Sequence, residues 1–547
     1  MGYNTYGSVD GKDTYAAYKS NKTSLPPTIF AATNNGKIHV LNAAKTDTTL
    51  SGIPAGTELA EFMPKGAMAS QIDLANSNFR FRYTLDGPLV EHDVYDKNNL
   101  TPGGGVAWRQ LVLGTGGRAG SFMYGLESPM NAGNRTPTKD HFLWELDNKT
   151  TGYGDLSNVT NNPTAGQLDD GTWVMLTGSG HYPATGKQIG LYVVEAITGK
   201  LKKFIPLPAA FGNAVTDGNR GLGGVVAVRD TNRKIVAAYA GDANGNLWRF
   251  DLRSSKFVVS YDRPLFTTPG GKTQPIYAAP TWQVHPGDAS ACTYSTTSQC
   301  GAIVVVGTGI LLDEDDLKTP ATKQAIYGIW DQTPIGGNDK ASFNKVVLTD
   351  LVAQTIDTGT LKRGTGATEE GKNFYQVSAN PVDWKTKKGW LLNLGVINYT
   401  GAMANGERIV GDLANLGSSV MITSFLPESK DLGLESCTAT GSLPNIIYVL
   451  DALTGKNKYS FDVDSNGSFD FYSIVSIPAG GFTRGNVSSR NMIGQPNEGR
   501  PDLRPDVDCT NETGYLTGVG GTQKAGDGCS APKVWRRAWR PVVSPPF

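Results

Sequence analysis

The 547-residue chain is poor in net charge, in histidine and in long apolar runs. Its 50 basic and 50 acidic residues cancel, so no overall basic field would attract nucleic acid or an anionic membrane. Only five histidines are present, and no two lie at metal-ligand spacing. No apolar run approaches the length of a membrane span, and the opening "MGYNTYGSVD" lacks the pattern of a signal peptide. We therefore expect no nucleic-acid partner and no membrane span, and we expect the chain to begin inside a longer protein.

Cysteine is also scarce, with five residues. Cys292 and Cys300 bound one polar loop, and Cys509 and Cys529 bound another; neither pair has the C-x-x-C spacing of zinc or thioredoxin-like chemistry. Local disulfides fit an oxidising compartment, so we predict these two disulfides and an extracytoplasmic protein. Cys437 is left over. It could be free, pair with a part of the protein outside this chain, or compete for Cys509 or Cys529.

Recognisable catalytic motifs are absent: there is no G-x-S-x-G, no H-E-x-x-H and no obvious nucleophile–base pair. "GTGGRAG" at 114–120 fits a dinucleotide-binding pattern, but the residues that follow read as a strand and not as the helix such a loop needs. The acidic run 313–316 is typical of a solvated loop, with a second cation site as the alternative. The sequence therefore indicates a protein that is not an enzyme.

Glycine and proline are abundant, at 67 and 30, without a collagen-like period, which is typical of many turns and short strands. One pattern recurs: an apolar run, a Gly/Asn/Asp turn and a second apolar run, which predicts a β-hairpin. Gly114, Gly178, Gly241 and Gly307 mark successive copies and are spaced 64, 63 and 66 residues apart. The copies lie at 28–44, 108–127, 172–200, 234–252 and 302–331, with a related piece at 445–462.

Equal spacing of one hairpin unit is the signature of a repeat fold. Six to eight such units would close into a β-propeller, an all-β fold that leaves few exposed sheet edges. Helical periodicity is hard to find. The long polar segments 45–107, 128–170 and 332–390 are predicted to be loop insertions between blades of a single domain that spans 1–547.

The stretch "FDVDSNGSFDF" at 461–471 carries the start of a calcium-loop pattern. Asp462, Asp464 and Asn466 would supply side-chain oxygens, Ser468 its backbone carbonyl, and Asp470 a direct or water-bridged carboxylate. The bidentate Glu that closes an EF-hand loop is absent, and apolar strand-like runs flank the stretch instead of helices. Three carboxylates within nine residues repel each other unless a cation is present, so we predict a calcium loop between strands. The alternative is a solvated Asn-Gly turn.

"YAGDANGNLWRFDL" at 239–252 resembles the signature strand pair of the PilY/PilC family of type IV pilus biogenesis factors and tip adhesins. "FAATNNGKIHVLNAA" at 30–44, "VLGTGGRAGSFMYGLE" and the terminal "WRRAWR" are similar to other parts of that family. The resemblance implies a modified, seven-bladed, quinoprotein-like propeller that is the C-terminal portion of a longer protein. It also implies export to the outer membrane, cell surface or pilus tip, and minor pilins as partners.

The function implied by the resemblance is non-enzymatic: promoting pilus assembly, opposing retraction and supporting twitching motility and surface adhesion, with calcium controlling the switch. The family's calcium loop would precede the "YAGD" strand, but here Asp230 and Asn232 are followed by Arg233 and Lys234, with no closing carboxylate. We expect no metal there. The alternatives are a quinone-dependent dehydrogenase, disfavoured by the lack of an adjacent Cys-Cys pair, and a carbohydrate-binding propeller. Four tryptophans are candidate sugar platforms: Trp108, Trp144, Trp173 and Trp282.

Overall fold

The structure, a computed structural model, describes most of the chain. Four of the five cysteines, the C-terminal "WRRAWR" segment and part of the acidic run at 313–316 lie outside the described residues. Cys300 is described, and it is fully buried and disulfide-bonded. The residues left outside are 1–7, 45–51, 79–80, 132–133, 213–219, 288–298, 314–315, 317–322, 338–344, 398–405, 427–444, 478–484, 488–512, 519–520 and 527–547.

The described residues form seven mainly antiparallel sheets, here called blades 1 to 7 in chain order. Blade 1 has three strands, namely Thr28–Ala32, Ile38–Asn42 and Glu58–Phe62. Blade 2 has four, namely Leu89–Asp96, Ala107–Thr115, Phe122–Ser128 and Phe142–Asp147. Blade 3 also has four, namely Thr164–Gln167, Trp173–Gly178, Gly190–Glu195 and Leu201–Pro206. In blades 2 and 3 each strand pairs with the next along the chain.

Blades 4 to 6 have added strands, and blade 7 has three. Blade 4 comprises Gly180–His181, Gly221–Arg229, Ile235–Asp242, Asn246–Asp251, Val258–Val259 and Phe266–Thr267. Blade 5 comprises Thr281–Val284, Ala302–Gly307, Ala325–Asp331, Gly389–Asn393 and the parallel-paired Val352–Gln354. Blade 6 comprises Ile356–Arg363, Asn373–Val377, Arg408–Ile409, Ala414–Leu416, Ser419–Phe425, Asn445–Asp451 and Ile474–Ile477. Blade 7 comprises Gly485–Val487, Thr513–Gly518 and Gly521–Gly526.

Helices in the described residues are short, and none is long and apolar enough to cross a bilayer. The longest, Lys12–Ser24, was not predicted, because its apolar face is limited to tyrosines and alanines that give no clear period. It docks on blade 2, where Tyr15 packs edge-on against Trp108 and donates a hydrogen bond of 2.8 Å to Asp93. The others are Lys65–Met68, Ala209–Gly212, Gln71–Ala75, Gly117–Ala119, Lys139–His141, Ser260–Asp262, Gly271–Thr273 and Leu348–Asp350.

Apolar side chains fill the spaces between successive blades. Six buried clusters each join one blade to the next, from blades 1 and 2 to blades 6 and 7. Between blades 4 and 5, for example, Tyr239 packs in one cluster with Trp282 and Tyr327. Fully burying one large apolar side chain contributes about 1.5–3 kcal/mol, so these layers hold the blades together. Sheets stacked face to face in chain order are the arrangement of a seven-bladed β-propeller, which confirms the predicted fold class.

A tryptophan contact repeats between blades. The indole of Trp144, on the last strand of blade 2, donates a hydrogen bond of 3.0 Å to the carbonyl of Ala196 in the "AITGK" turn of blade 3. The indole of Trp390 in blade 5 donates likewise to Ala452 in the "ALTGK" turn of blade 6, at 3.3 Å. In both turns the glycine has a left-handed backbone, and a Cβ there would lie within 3 Å of the tryptophan ring. The same local sequence thus docks two pairs of neighbouring blades.

The four evenly spaced glycines lie where the repeat predicted them. Each one is at or next to the last residue of the second long strand in blade 2, 3, 4 or 5. A Cβ on Gly178, Gly241 or Gly307 would lie 2.1–2.7 Å from the chain that leads into or belongs to the next blade. The strand ends meet there without room for a side chain. The same steric requirement thus recurs in blades 3, 4 and 5, whereas a Cβ on Gly114 would meet Tyr124 of its own blade.

The prediction that 45–107, 128–170 and 332–390 are loop insertions is wrong in part. Each segment contains strands of a blade, including Leu89–Asp96 and Ile356–Arg363. Leu89–Asp96 is buried on one face only, and Ile356–Arg363 is exposed at most of its positions. Both are edge strands of their sheets and carry many polar residues, and for that reason their sequences resemble loops.

The connection between blades 2 and 3 runs along the axis of the propeller. This axial segment, residues 157–162, bonds with four other blades or the chain beside them. Val159 accepts from Thr115 of blade 2, and Asn158 pairs with His181 of blade 4. Asn161 donates to the carbonyl of Tyr277 before blade 5, and Asn162 donates to Asp412 in blade 6, at 3.1 and 2.5 Å. Only a segment at the centre can reach all of them.

We predict that Gly241→Ala destabilises the fold by about 1–3 kcal/mol, the usual cost of overpacking a tight core. The added Cβ would lie 2.1 Å from the side chain of Ile276, which is fully buried. Gly154→Ala is the matched control, because the nearest atom is the Lys187 ammonium at 3.9 Å. Chemical denaturation of both variants measures the difference, and equal stabilities would contradict the steric account of the repeat.

We also predict a histidine contribution to acid sensitivity. His181 is buried beside the axial segment, and burial lowers its pKa to about 4. The ordinary pKa of histidine is about 6.5. As pH falls below that value, His181 therefore takes up a proton in the unfolded chain but stays neutral in the folded chain. The stability that depends on the neutral ring is complete above about pH 6.5 and decreases towards pH 4. Between pH 7 and pH 5 the loss is at most about 2 kcal/mol.

His181→Gln isolates this contribution, since the other titrating groups are common to both proteins. We expect the free energy of unfolding of the variant to fall less steeply from pH 7 to pH 5 than that of the unsubstituted protein. Parallel pH profiles would show that His181 takes up its proton without unfolding the axis.

Candidate metal centre

The acidic loop predicted to bind calcium is held at its base by buried residues of blade 6. Phe461 and Val463 are fully buried in the core between blades 6 and 7. Phe461 and Asp470 form an antiparallel bridge, with the Asp470 amide 2.7 Å from the Phe461 carbonyl. The second half of the segment 445–462 thus pairs across the base of the acidic loop. It does not pair with the strand Asn445–Asp451 as the second strand of a hairpin. The loop leaves and re-enters the fold at one fixed point.

Three predicted ligands are brought together. Carboxylate oxygens of Asp462, Asp464 and Asp470 all lie within 4.8 Å of one another. Asp464 is exposed, and the other two are half-buried. Within the part of the chain that the structure describes, none of the three forms an ion pair with a lysine or arginine. Three like charges this close repel each other, and a bound cation would relieve that repulsion.

Backbone amides hold two of these carboxylates in position. Asp462 accepts from the amides of Asn466 and Gly467 at 3.0 and 2.7 Å, and Asp470 accepts from Val463 at 2.9 Å. Asp464 has a weaker contact, 3.3 Å, to the Asn466 amide. Of the three carboxylates, that of Asp464 therefore contributes least to the hydrogen bonding that holds the loop.

The turn itself needs two unusual backbone conformations. Ser465 and Gly467 have φ of 59° and 92°, in the left-handed region that glycine tolerates best. The amide oxygen of Asn466 accepts from the Ser468 amide at 2.8 Å. Asn466 and Ser468 are thus joined by a hydrogen bond within the turn.

The donor set fits a hard divalent cation. All the candidate ligands are oxygens, which calcium and magnesium prefer, and the loop is short, glycine-containing and solvent-accessible. A neighbouring turn supports it, since the Thr365 amide donates to the Val463 carbonyl at 3.0 Å. In this site Asp462, Asp464 and Asp470 would hold the ion, and water could supply further ligands.

The hairpin at Asp230 has a different construction. Asp230 uses its carboxylate to accept from the amides of Asn232 and Lys234, at 2.9 and 3.0 Å. Arg233 has a left-handed backbone with φ of 63°, and the Lys234 ammonium donates to Gln167. Burial raises the pKa of Asp230 and lowers that of Lys234. A single carboxylate in a turn with a lysine beside it is a poor donor set for a cation.

The acidic run at 313–316 is used in ion pairs in the part the structure describes. Arg220 lies 2.9 Å from Asp313 and 2.8 Å from Asp316. Asp316 also accepts from the Leu312 amide, and the Arg220 guanidinium and these hydrogen bonds hold its pKa below the usual range despite burial. Asp313 and Asp316 are thus satisfied by the protein, and Glu314 and Asp315 lie outside the described residues.

The four candidate sugar platforms are core residues. Trp108, Trp144, Trp173 and Trp282 are all buried. Their rings face neighbouring strands and blades, so they cannot stack on a sugar at the surface. Most large aromatic side chains in propeller strands are expected to pack between blades, and these four do so.

The axial segment is buried among the blades. Ser157, Val159 and Asn161 are buried, and each hydrogen-bonds to a blade or to the chain beside one. Sequence reasoning missed this segment, because "SNVTNN" reads only as a polar loop. The side chains of the axial segment therefore lie at the centre of the described blades.

Comparison with known proteins gives concordant matches. Residues 1–363 match the sequence profile of the family described as the PilY1 beta-propeller domain. A type IV pilus biogenesis factor PilY1 homolog from Xylella fastidiosa is 27% identical over 501 residues, which cover 90% of this chain and 34% of that protein. The type IV pilus biogenesis factor PilY1 of Pseudomonas aeruginosa strain UCBPP-PA14 is 26% identical over 533 residues, covering 89% and 40% respectively. The chain thus spans about a third to two fifths of the length of these relatives.

A solved structure matches over nearly the whole length. The crystal structure of the Pseudomonas aeruginosa PilY1 C-terminal domain superimposes with a TM-score of 0.68 at 21% sequence identity, covering 96% of this chain and 99% of that one. At that identity the match shows the fold. The resemblance seen in the repeats is confirmed by the profile, the relatives and the structure together.

Proposed function

Because this chain belongs to the PilY1 beta-propeller domain family, we propose that it is the propeller portion of a non-enzymatic type IV pilus biogenesis factor. It acts outside the cytoplasm, at the cell surface, outer membrane or pilus tip, with minor pilins as partners. Its role is to promote pilus assembly, oppose retraction and support twitching motility and adhesion. The family match over 1–363 is the observation that carries this proposal.

We further propose that calcium binds the loop of Asp462, Asp464 and Asp470 and regulates that role. The loop belongs to the junction of two blades, since the Ser460 carbonyl accepts from the Gly526 amide of blade 7 at 2.9 Å. Cancelling the charge of three clustered carboxylates would hold the loop closed and stiffen this junction. Asn466 and the Ser468 carbonyl would complete the ligand set after a local adjustment of the turn.

We expect Asp464→Ala to abolish calcium binding without loss of stability in the calcium-free protein. Asp464 has one weak protein contact, so its removal relieves repulsion and breaks little. In the unsubstituted protein, calcium at about 100 times the dissociation constant adds roughly 2.7 kcal/mol to the free energy of unfolding. Calorimetry for binding and thermal denaturation with and without calcium measure both effects, and magnesium should compete poorly.

Asp230→Ala is the matched control, because it removes one carboxylate from the other candidate hairpin. It should keep calcium binding and the added stability. Calcium bound equally well by Asp464→Ala would show that the loop is only a turn, and loss of binding in Asp230→Ala alone would place the ion at that hairpin.

The cellular role is tested by carrying the same substitution into the full-length protein. We expect fewer surface pili or altered twitching in cells whose chromosomal copy encodes Asp464→Ala, and normal behaviour with Asp230→Ala. Complete deletion of the protein should give the stronger defect. Normal piliation, twitching and adhesion after deletion would contradict the pilus role, whereas a defect on deletion but not with Asp464→Ala would leave calcium a structural ion.

We expect no dye-linked oxidation of alcohols or sugars when the protein is supplied with quinone cofactor and calcium. The chain has no adjacent Cys-Cys pair, which enzymes of this kind often carry beside the cofactor. Turnover that depends on a single aspartate would overturn the non-enzymatic assignment.

A further inference from the structure

Blade 1 carries a second group of potential metal ligands, far along the chain from the acidic loop. His39 lies on the strand Ile38–Asn42, and Glu58 and Glu61 lie on the strand Glu58–Phe62. One ligand atom from each of the three lies within 4.8 Å of the others. No sequence motif marks this group, because the histidine and the glutamates are separated by about twenty residues.

The pairing of the two strands explains how the three side chains converge. His39 pairs directly with Glu61, so their side chains share one face of the sheet. A register shift between Val40 and Leu41 inserts an extra residue in the partner strand and brings Glu58 to the same face. The His39 Nδ1 atom lies 2.5 Å from a Glu58 carboxylate oxygen. A β-bulge thus places a third donor beside a cross-strand pair.

We propose that His39, Glu58 and Glu61 form a binding site for a divalent transition metal of the zinc type. One imidazole nitrogen and two carboxylates are the mixed donor set that zinc accepts, whereas calcium and magnesium select oxygen ligands alone. The side chains of His39, Glu58 and Glu61 are 22%, 44% and 48% exposed. Water can therefore complete the coordination, and a metal can enter from solvent.

Asn35 sets the tautomer of His39 in the metal-free protein. The side-chain NH2 group of Asn35 lies 3.1 Å from Nε2, and its oxygen already accepts from the Lys37 amide. An amide NH2 group can only donate, so Nε2 accepts and the proton of the neutral ring lies on Nδ1, facing Glu58. A metal ion at Nδ1 must displace this proton, so zinc affinity should fall as pH falls.

Lys37 provides an internal competitor for the metal. Its ammonium lies 2.6 Å from a Glu61 carboxylate oxygen and is 33% exposed. In the metal-free protein this ion pair offsets the negative charge of the two glutamates. A metal ion must displace or share that contact, so removing the lysine and removing the histidine have opposite effects on affinity. A surface ion-pair network that binds no metal would not show these opposite effects on metal affinity.

The test is zinc titration of untagged, chelator-treated protein by calorimetry. The unsubstituted protein should bind one zinc ion at this site. His39→Ala should weaken binding by more than about tenfold, since even the groups behind metal ligands cost about 10- to 100-fold when replaced. Lys37→Met should strengthen it by up to about fivefold, the scale of one surface ion pair. Cobalt substituted for zinc should give visible absorption bands that His39→Ala changes.

His141→Ala is the matched control, because His141 is also partly exposed but has Thr138 as its neighbour and no place in the cluster. It should leave zinc affinity unchanged, as should Asp464→Ala in the acidic loop. The proposal is overturned if zinc does not saturate a site, if His39→Ala and His141→Ala have equal effects, or if Lys37→Met fails to raise affinity. Each outcome is independent of any role in pilus biogenesis.

Discussion

A blade can bury an apolar face only against a neighbouring blade, and in the described residues blades 2 to 6 are covered in this way on both faces. That constraint explains why the apolar cores lie between sheets, with six clusters that each draw residues from two consecutive blades. It also explains the glycines at the strand ends, because blades that pack this closely leave no room for side chains where they converge. The docking of Trp144 and Trp390 onto the turns of the next blade fixes the angle at which the faces meet.

The two candidate metal sites use this frame in different ways. The acidic loop lies at the edge of a core, and buried Phe461 and Val463 determine where its carboxylates begin. The His39 group lies on the outer face of a sheet, where a bulge and not a loop brings the donors together. One site therefore consists of oxygen ligands on a turn, and the other includes a nitrogen ligand on strands. The chemistry that each can hold follows from the local backbone that carries it.

The hairpins and the Gly114 to Gly307 series were predictable from the sequence, because one steric requirement repeats at nearly equal intervals. The acidic loop was also predictable, since its donors lie within nine residues. Outer strands such as Ile356–Arg363 were not, because strands exposed on both faces lose the apolar alternation that marks a strand. The His39 group depends on register and a bulge, which no local pattern reveals. The docking of tryptophans onto the "AITGK" and "ALTGK" turns was not predicted, because it joins residues far apart in the chain.

The axial segment has a consequence for the order in which the molecule can be assembled. Residues 157–162 are made before blades 5 and 6, yet their amides bind Tyr277 and Asp412 in chain that follows them by more than a hundred residues. The chain emerges with its N-terminus first. When the end of blade 4 has emerged, the partners of these two side-chain amides have not yet appeared. The contacts of this segment with blades 2 and 4 can form early, whereas its contacts with Tyr277 and Asp412 form only when the later half of the chain is present. The last part of the chain to be made therefore completes a contact that the first part begins.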